Sequence, residues 1–314
     1  MNQEFGVFIN PERASYSLIR NEVQTAEKIG FDSAWLSDHV FGLVGSPTNP
    51  FYECWTTCSA LAADTKKIKL GQLVLCNPFR HPPLLAKMGA TLDSISEGRL
   101  ILGLGTGWAE NEFDAYGYPF EKPATRVRRV GEAAQIIRKM WTEEKASFKG
   151  RHYEIEDAYC FPQPVQKPHP PIMIAGSGEQ LTLKVVARHA DWSNFTAWFG
   201  STDAFRGKVD VLSKHCETVG RDMDEITKSF AVYVLIGEDR KEAEAKEAYF
   251  NETMAKRWGG GFNRKAPLRG TPEDVIDQIN DYREAGVDYF IVRFMGGDFM
   301  REAKVFADHV LLNV

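Results

Sequence analysis

The sequence is expected to fold as an α/β protein, a (β/α)8 or TIM barrel, on three observations. Eight short apolar runs are spread along the chain, nearly all are followed by a helical pattern, and polar and glycine residues gather where the runs end. Alternating strand and helix calls for a parallel sheet, and strands buried on both faces read as near-continuous apolar runs. Eight such units close a barrel, and barrels place their chemistry at the C-terminal ends of the strands. An open doubly wound sheet is the competing architecture.

The first strand covers residues 4–9, and a helix follows over Tyr16–Ile29 with Leu18, Ile19, Val23, Ala26 and Ile29 on one face and Gly30 as its stop. The second strand, 31–36, runs into Ser37-Asp38-His39. A helix over 52–63 carries Cys54 and Cys58 on one face, read as buried small hydrophobes. The third strand, 69–75, leads into Cys76-Asn77-Pro78-Phe79-Arg80-His81. The fourth, Leu100-Ile101-Leu102, enters Gly103-Leu104-Gly105-Thr106-Gly107-Trp108, with Asn111 and Glu112 within one helical turn. A helix over 124–141 comes next, with apolar residues at spacings of three and four. Residues 171–175 lead into Gly176-Ser177-Gly178 and a helix over 180–188, and Ala190-Asp191-Trp192 leads into Ser193-Asn194-Phe195-Thr196. The last two strands are 229–236 and 289–292, separated by a helix that starts at Thr271-Pro272 with two acids in its first turn.

One domain over 1–314 accommodates all of this, with insertions at 145–170 and 238–270. The first reads as a short hairpin and a Pro-rich loop. The second reads as a polar helix over 238–256 and then Trp258-Gly259-Gly260-Gly261-Phe262, either a flap over a site or a surface connector. A hydrophobic content of 43% with 26% charged residues suits a soluble globular domain. A net charge of -5 without a basic stripe argues against nucleic acid and anionic membrane. No apolar run approaches the ~20 residues of a membrane helix. The start Met1-Asn2-Gln3-Glu4 lacks a basic n-region, and five cysteines show no disulfide-like spacing, so the reducing cytoplasm is the expected compartment.

The chemical candidates cluster after the strands. His39 is a potential general acid or base, and Asp38 would hold a cofactor group or bias the imidazole. The glycines of the fourth unit let backbone turn tightly and approach a ligand, with Trp108, Asn111 and Glu112 placed to meet a flat ring. Trp at position 108 breaks the Rossmann fingerprint. Gly176-Ser177-Gly178 before a helix is either an anion site or a tight turn with a capping serine. The seven histidines are isolated, with no H-x-H or H-E-x-x-H, so no metal is expected. Trp108, Trp198, Phe199, Trp258 and Phe262 suggest an aromatic pocket, and Arg80, His81 and Arg293 suggest anion recognition.

Several ordered motifs resemble those of the bacterial luciferase-like superfamily, particularly the branch that uses the deazaflavin coenzyme F420. They are Gly30-Phe31-Asp32-Ser33 with Asp38-His39, Pro78-Phe79-Arg80-His81-Pro82, Gly105-Thr106-Gly107-Trp108 with Asn111-Glu112, Phe148 through Tyr153, and Pro171 through Gly178. The resemblance spans about residues 4 to 312. It implies a luciferase-like TIM barrel with the coenzyme across its C-terminal mouth and a non-proline cis peptide at Leu73-Val74. It also implies that Asp38 contacts the ring, with Leu73, Val74, Cys76 and Asn77 nearby and Trp108 and Asn111 at its border. Ala175, Gly176, Ser177 and Gly178 would hold the phosphate, and His39 would act as acid or base. The activity implied is hydride transfer between F420 and a small organic substrate. The alternatives are an FMN-dependent two-component monooxygenase served by a flavin reductase, and a non-catalytic flavin- or deazaflavin-binding protein. A homodimer and an F420 reductase as functional partner are family expectations.

Overall fold

The computed structural model describes residues 5–12, 14–43, 45–196, 201–258 and 266–314. Eight parallel strands close into a barrel: β1 (Phe5–Ile9), β2 (Ser33–Leu36), β3 (Lys69–Gln72), β4 (Leu100–Gly105), β5 (Ile172–Ala175), β6 (Trp192–Thr196), β7 (Thr227–Ile236) and β8 (Tyr289–Phe294). β8 pairs back onto β1, with Val7 in register with Val292, so the sheet has no free edge at that seam. Each connection is helical, as parallel neighbours require.

The strands are sealed on both faces. Outside, buried residues such as Ile19, Val23 and Ala26 of the helix Tyr16–Ile29 belong to the main apolar core. Inside, Phe8, Trp35, Ile101, Met173, Trp192, Tyr289 and Ile291 form a second cluster. The Trp35 indole donates to the Ser33 hydroxyl at 2.5 Å, and Ser33 meets the Tyr289 hydroxyl at 2.5 Å, so the polar tips of these large rings are satisfied in the interior. This packed layer fills the interior of the barrel beneath its mouth.

The expected elements are present with informative differences. The third strand does not run through 69–75. It ends at Gln72 and resumes as Leu75–Cys76 beside Leu104 and Gly105, with a cis peptide at Leu73-Val74 between the two pieces. The helix expected over 52–63 is Cys54–Asp64, because the Glu53 carboxylate accepts the N–H groups of Trp55 and Thr56 and fixes its start. Cys54 and Cys58 are buried, as read from the sequence. The helix expected over 180–188 is Thr182–His189, with Leu181 at its cap and no side-chain cap bond, so Ser177 is not a capping serine.

The first insertion holds an antiparallel hairpin, Ala146–Lys149 with Glu154–Ala158. The second holds the helix Arg240–Trp258 and a short strand, Leu268–Gly270, parallel to the end of β7. Residues 259–262 of the expected flap, and Trp198 and Phe199, lie outside the described residues, as does the Trp258 side chain. Among the described residues no helix is long and apolar enough to cross a membrane.

A buried acid behind the mouth makes stability depend on pH. Glu302, in the helix Phe299–Phe306, is 0% exposed and accepts the Gly296 N–H at 2.9 and 3.1 Å. Burial pushes its carboxyl up to about 7, against the opposing pull of Lys246. A carboxyl raised on folding contributes stability that is full below its unfolded value and is lost as pH rises through about 7. Thermal melts from about pH 5 to 8 are therefore expected to show a falling Tm for the wild type and a flatter profile for Glu302→Gln.

Candidate active site

Three chain segments meet at the C-terminal mouth. Asp38 and His39 follow β2, Leu73, Val74 and Cys76 follow β3, and Gly107, Trp108, Glu112 and Phe113 follow β4. With Ala175 at the end of β5 and Asn194 and Thr196 on β6, they line a cavity of about 250 Å³.

The fourth strand runs on to Gly105 rather than stopping at Leu102, and Gly105 and the following Gly107 make close approaches within the protein. A Cβ on Gly105 would lie 2.4 Å from the Val74 side chain. Gly107, at φ +71, would place one 2.6 Å from the Cys76 sulfur. Close approach here is to the segment after β3, which these glycines admit into the mouth. Arg126 then holds the loop, its guanidinium donating to the carbonyls of Thr106 (3.5 Å) and Gly107 while it covers the Phe120 ring at 4.0 Å.

Asp38 is buried, and three donors use its carboxylate. The Cys76 N–H reaches Oδ2 at 2.8 Å, and the Arg80 guanidinium grips both oxygens at 2.7 and 2.9 Å. Arg80 also pairs with Glu53, at the start of the helix Cys54–Asp64. Burial alone would lower the Arg80 pKa, but the Asp38 and Glu53 carboxylates outweigh it and hold it above its ordinary value. Arg80 is thus committed inside the protein, which removes it from the expected anion-recognition set. His81 packs edge-on to Tyr153, with ring centroids 5.8 Å apart.

Asp38 does not bias the imidazole; Glu112 does. His39 Nδ1 lies 2.7 Å from Glu112 Oε2, and the other Glu112 oxygen accepts the Val40 N–H at 2.7 Å. Glu112 is 2% exposed, so this is a desolvated, charge-assisted contact. With both oxygens acting as acceptors, Nδ1 carries the hydrogen and Nε2 is the nitrogen left to exchange a proton. The His39 ring stands edge-on to Phe51 at 5.5 Å and to Trp108 at 5.8 Å. Trp108 is 62% exposed and forms the rim.

Asn194 supplies a polar point on the wall. Its amide donates to the Ser229 hydroxyl at 3.0 Å, and Ser229 donates onward to the Ser193 carbonyl at 3.0 Å. That chain fixes the amide orientation and leaves Asn194 Oδ1 buried without a hydrogen-bond partner. Cys76 lines the cavity as a neutral thiol, its pKa pushed up by burial and then by Asp38 and Glu112.

Of the residues named from sequence, Asp38, His39, Leu73, Val74, Cys76, Trp108 and Ala175 line the cavity. Asn77 sits behind it, donating to the Tyr153 hydroxyl at 3.2 Å. Asn111 is exposed and turned away; Glu112, its neighbour, takes the inward place. Gly176, Ser177 and Gly178 follow Ala175 just outside the lining. The sequence carried a signal for Glu112. Ala109, Glu112 and Phe113 are spaced as one helical face, and all three are buried. Among the described residues no group of three or more His, Cys, Asp or Glu could hold a metal ion.

Residues 3–289 match the model of a family described as luciferase-like monooxygenase. An F420-dependent glucose-6-phosphate dehydrogenase of Amycolatopsis mediterranei is 30% identical, the alignment covering 91% of each protein. An FMNH2-dependent dimethylsulfone monooxygenase of Pseudomonas putida is 29% identical over 96% of this chain and 89% of that protein. Among solved structures, an F420-dependent secondary alcohol dehydrogenase in complex with an F420-acetone adduct superposes with a TM-score of 0.84 at 20% identity, covering 99% of this chain and 98% of the other. At that identity the likeness speaks for the fold.

The Asp38–Arg80 pair is open to a double-mutant test. Arg80→Met leaves a buried carboxylate uncompensated and is expected to cost about 3–5 kcal/mol in urea unfolding. Adding Asp38→Asn removes the stranded charge, so the double variant is expected to recover much of that loss.

Proposed function

Since the chain belongs to the luciferase-like monooxygenase family, we propose that it is an oxidoreductase that moves a hydride between F420 and a small organic substrate at the barrel mouth. The observation that carries this reading is the His39–Glu112 pair, opening on a cavity walled by Leu73, Val74 and Trp108. An acid–base group beside an apolar, aromatic wall suits a flat ring and a reacting substrate.

The residues present fit a tricyclic coenzyme. Leu73, Val74, Trp108 and Phe113 offer apolar and aromatic surface, and the unpartnered Asn194 Oδ1 suits a ring N–H. Asp38 and Cys76 would line the ring's edge. Gly176, Ser177 and Gly178, ahead of the helix Thr182–His189, would hold its phosphate. When bound, the deazaflavin supplies hydride chemistry.

The chain's own part is to position and to move a proton. His39 Nε2 would give a proton to, or take one from, the substrate oxygen, while Glu112 keeps Nδ1–H in place. The apolar walls exclude water from the reacting centre. Asp38 works at one remove by fixing the segment that carries His39.

Fluorescence titration of the purified protein with F420 and with FMN is the test. Micromolar or tighter F420 binding with FMN ignored is expected. His39→Ala should keep that affinity and lose about 10²–10⁴-fold in turnover. Glu112→Gln should also cut turnover, because an amide offers a donor where either Nδ1–H or the Val40 N–H needs an acceptor. A second reading, an FMN-dependent monooxygenase served by a flavin reductase, draws support from the dimethylsulfone monooxygenase relative. Binding of FMN alone would favour it, and binding of a coenzyme with no turnover would favour a non-catalytic binding protein.

A further inference from the structure

We propose that Trp108 selects the substrate of this protein, favouring a flat aromatic body that carries an alcohol or carbonyl group over sugars and other polyols. The proposal rests on the barrel-mouth coenzyme reading for where the substrate lies, and on the rim around His39 for what the substrate is.

Space puts the substrate at the rim. The cavity of about 250 Å³ is below the ~300–1,000 Å³ usual for a ligand pocket. With a tricyclic ring seated on Leu73 and Val74, a second molecule has to stand over the outer edge, beside His39 and Trp108. Trp108 is 62% exposed although it lines the cavity. Its ring stands at 78° to the His39 imidazole with 5.8 Å between centroids, and Phe51 stands at 85° to the same imidazole at 5.5 Å. An oxygen bonded to His39 Nε2 sits beside these rings, and the body attached to it has aromatic surface to lie on.

The rim is held in place. Glu112 binds His39 and the Val40 N–H, and Tyr116, at the far end of the helix Glu110–Tyr116, donates its hydroxyl to the Val40 carbonyl at 3.1 Å. The segment after β2 is thereby tied along the helix that starts just beyond Trp108. Phe41 and Tyr116 pack with 6.4 Å between centroids, and Tyr116 is 56% exposed, so aromatic surface continues outward from His39. A wall fixed before binding gains on a flat ring through edge and offset contacts and gives up little entropy. A polyol fares worse there, because its hydroxyls lose water against a surface whose one polar atom at Trp108 is the indole N–H. The carboxylates that line the cavity, natural partners for sugar hydroxyls, already hold protein donors: Asp38 those of Cys76 and Arg80, Glu112 those of His39 and Val40.

Acetophenone, its saturated counterpart cyclohexyl methyl ketone, and glucose are titrated into the protein alone and saturated with whichever coenzyme it binds, with binding read by ligand-observed NMR. Acetophenone is expected to bind the wild type about two- to tenfold tighter than the cyclohexyl ketone, and glucose more weakly than either. Trp108→Leu is expected to erase the preference for the aryl ketone, and Trp108→Phe to keep most of it. Trp108→Ala takes the place of the Leu variant if that one fails to fold by circular dichroism. Coenzyme affinity, titrated separately by fluorescence, should fall less in these variants than acetophenone affinity does. Equal binding of the two ketones, an aryl preference that survives in Trp108→Leu, or glucose bound as tightly as acetophenone would overturn the proposal. So would a larger loss of coenzyme affinity than of acetophenone affinity, which would assign the indole to the coenzyme ring. If neither F420 nor FMN binds, the coenzyme reading falls, while the titrations on the protein alone still decide whether Trp108 selects an aromatic ligand.

Discussion

The mouth of this barrel is organised around one buried carboxylate. Asp38 follows β2, yet its oxygens are held by the Cys76 N–H and the Arg80 guanidinium, both beyond β3. The pair ties two neighbouring strand ends together, and Glu53 extends the tie to the next helix. His39 is the adjacent residue, so its placement is inherited from this lock. The Leu73-Val74 segment, whose peptide is cis, lies just ahead of the same anchoring amide. A buried charge held by a bidentate partner and a backbone N–H is costly to disturb, which suits an element that must keep two segments in register.

The same region separates two jobs that neighbouring acids might have shared. Three donors hold the Asp38 carboxylate, while Glu112 spends one oxygen on the Val40 N–H and the other on His39. The imidazole is thereby oriented from a different strand end than the one that carries it. Apolar and aromatic side chains make up much of the remaining lining, and His39, Asn194 and Thr196 are polar points on it that can steer a ligand. Such a wall would suit a ring held by its faces and a substrate held by a small number of directional contacts.

Much of the architecture was legible because it rests on local pattern. Strand ends at Leu36 and Ala175, and helices such as Tyr16–Ile29, follow from apolar runs and stop signals, whereas the run read as ending at Trp192 marks the start of β6, which continues to Thr196. What was illegible depended on contacts between distant residues. The break in the third strand at Gln72 reflects how closely Gln72 and Val74 pass Gly103 and Gly105 of β4, and each strand taken alone reads as continuous. Asn111 and Glu112 both read as ligand-facing and the family resemblance put Asn111 at the ring's border, whereas burial of the Ala109, Glu112 and Phe113 face turns Glu112 inward. Arg80 looked like a surface anion hook because its partner, Asp38, lies 42 residues away. The helix after β5 starts two positions later than its glycines implied, since Leu181 rather than Ser177 occupies its cap.

The central claim is that the cavity between His39 and Leu73-Val74 seats a flavin-type ring. A crystal structure of the protein grown with F420, or with FMN if only that binds, tests it directly. The account predicts the ring lying on Leu73 and Val74, with His39 Nε2 facing its reactive edge and Asn194 Oδ1 taking a ring N–H. A ring bound elsewhere on the barrel, or a mouth in which His39 has left Glu112 and faces no ligand, would contradict it.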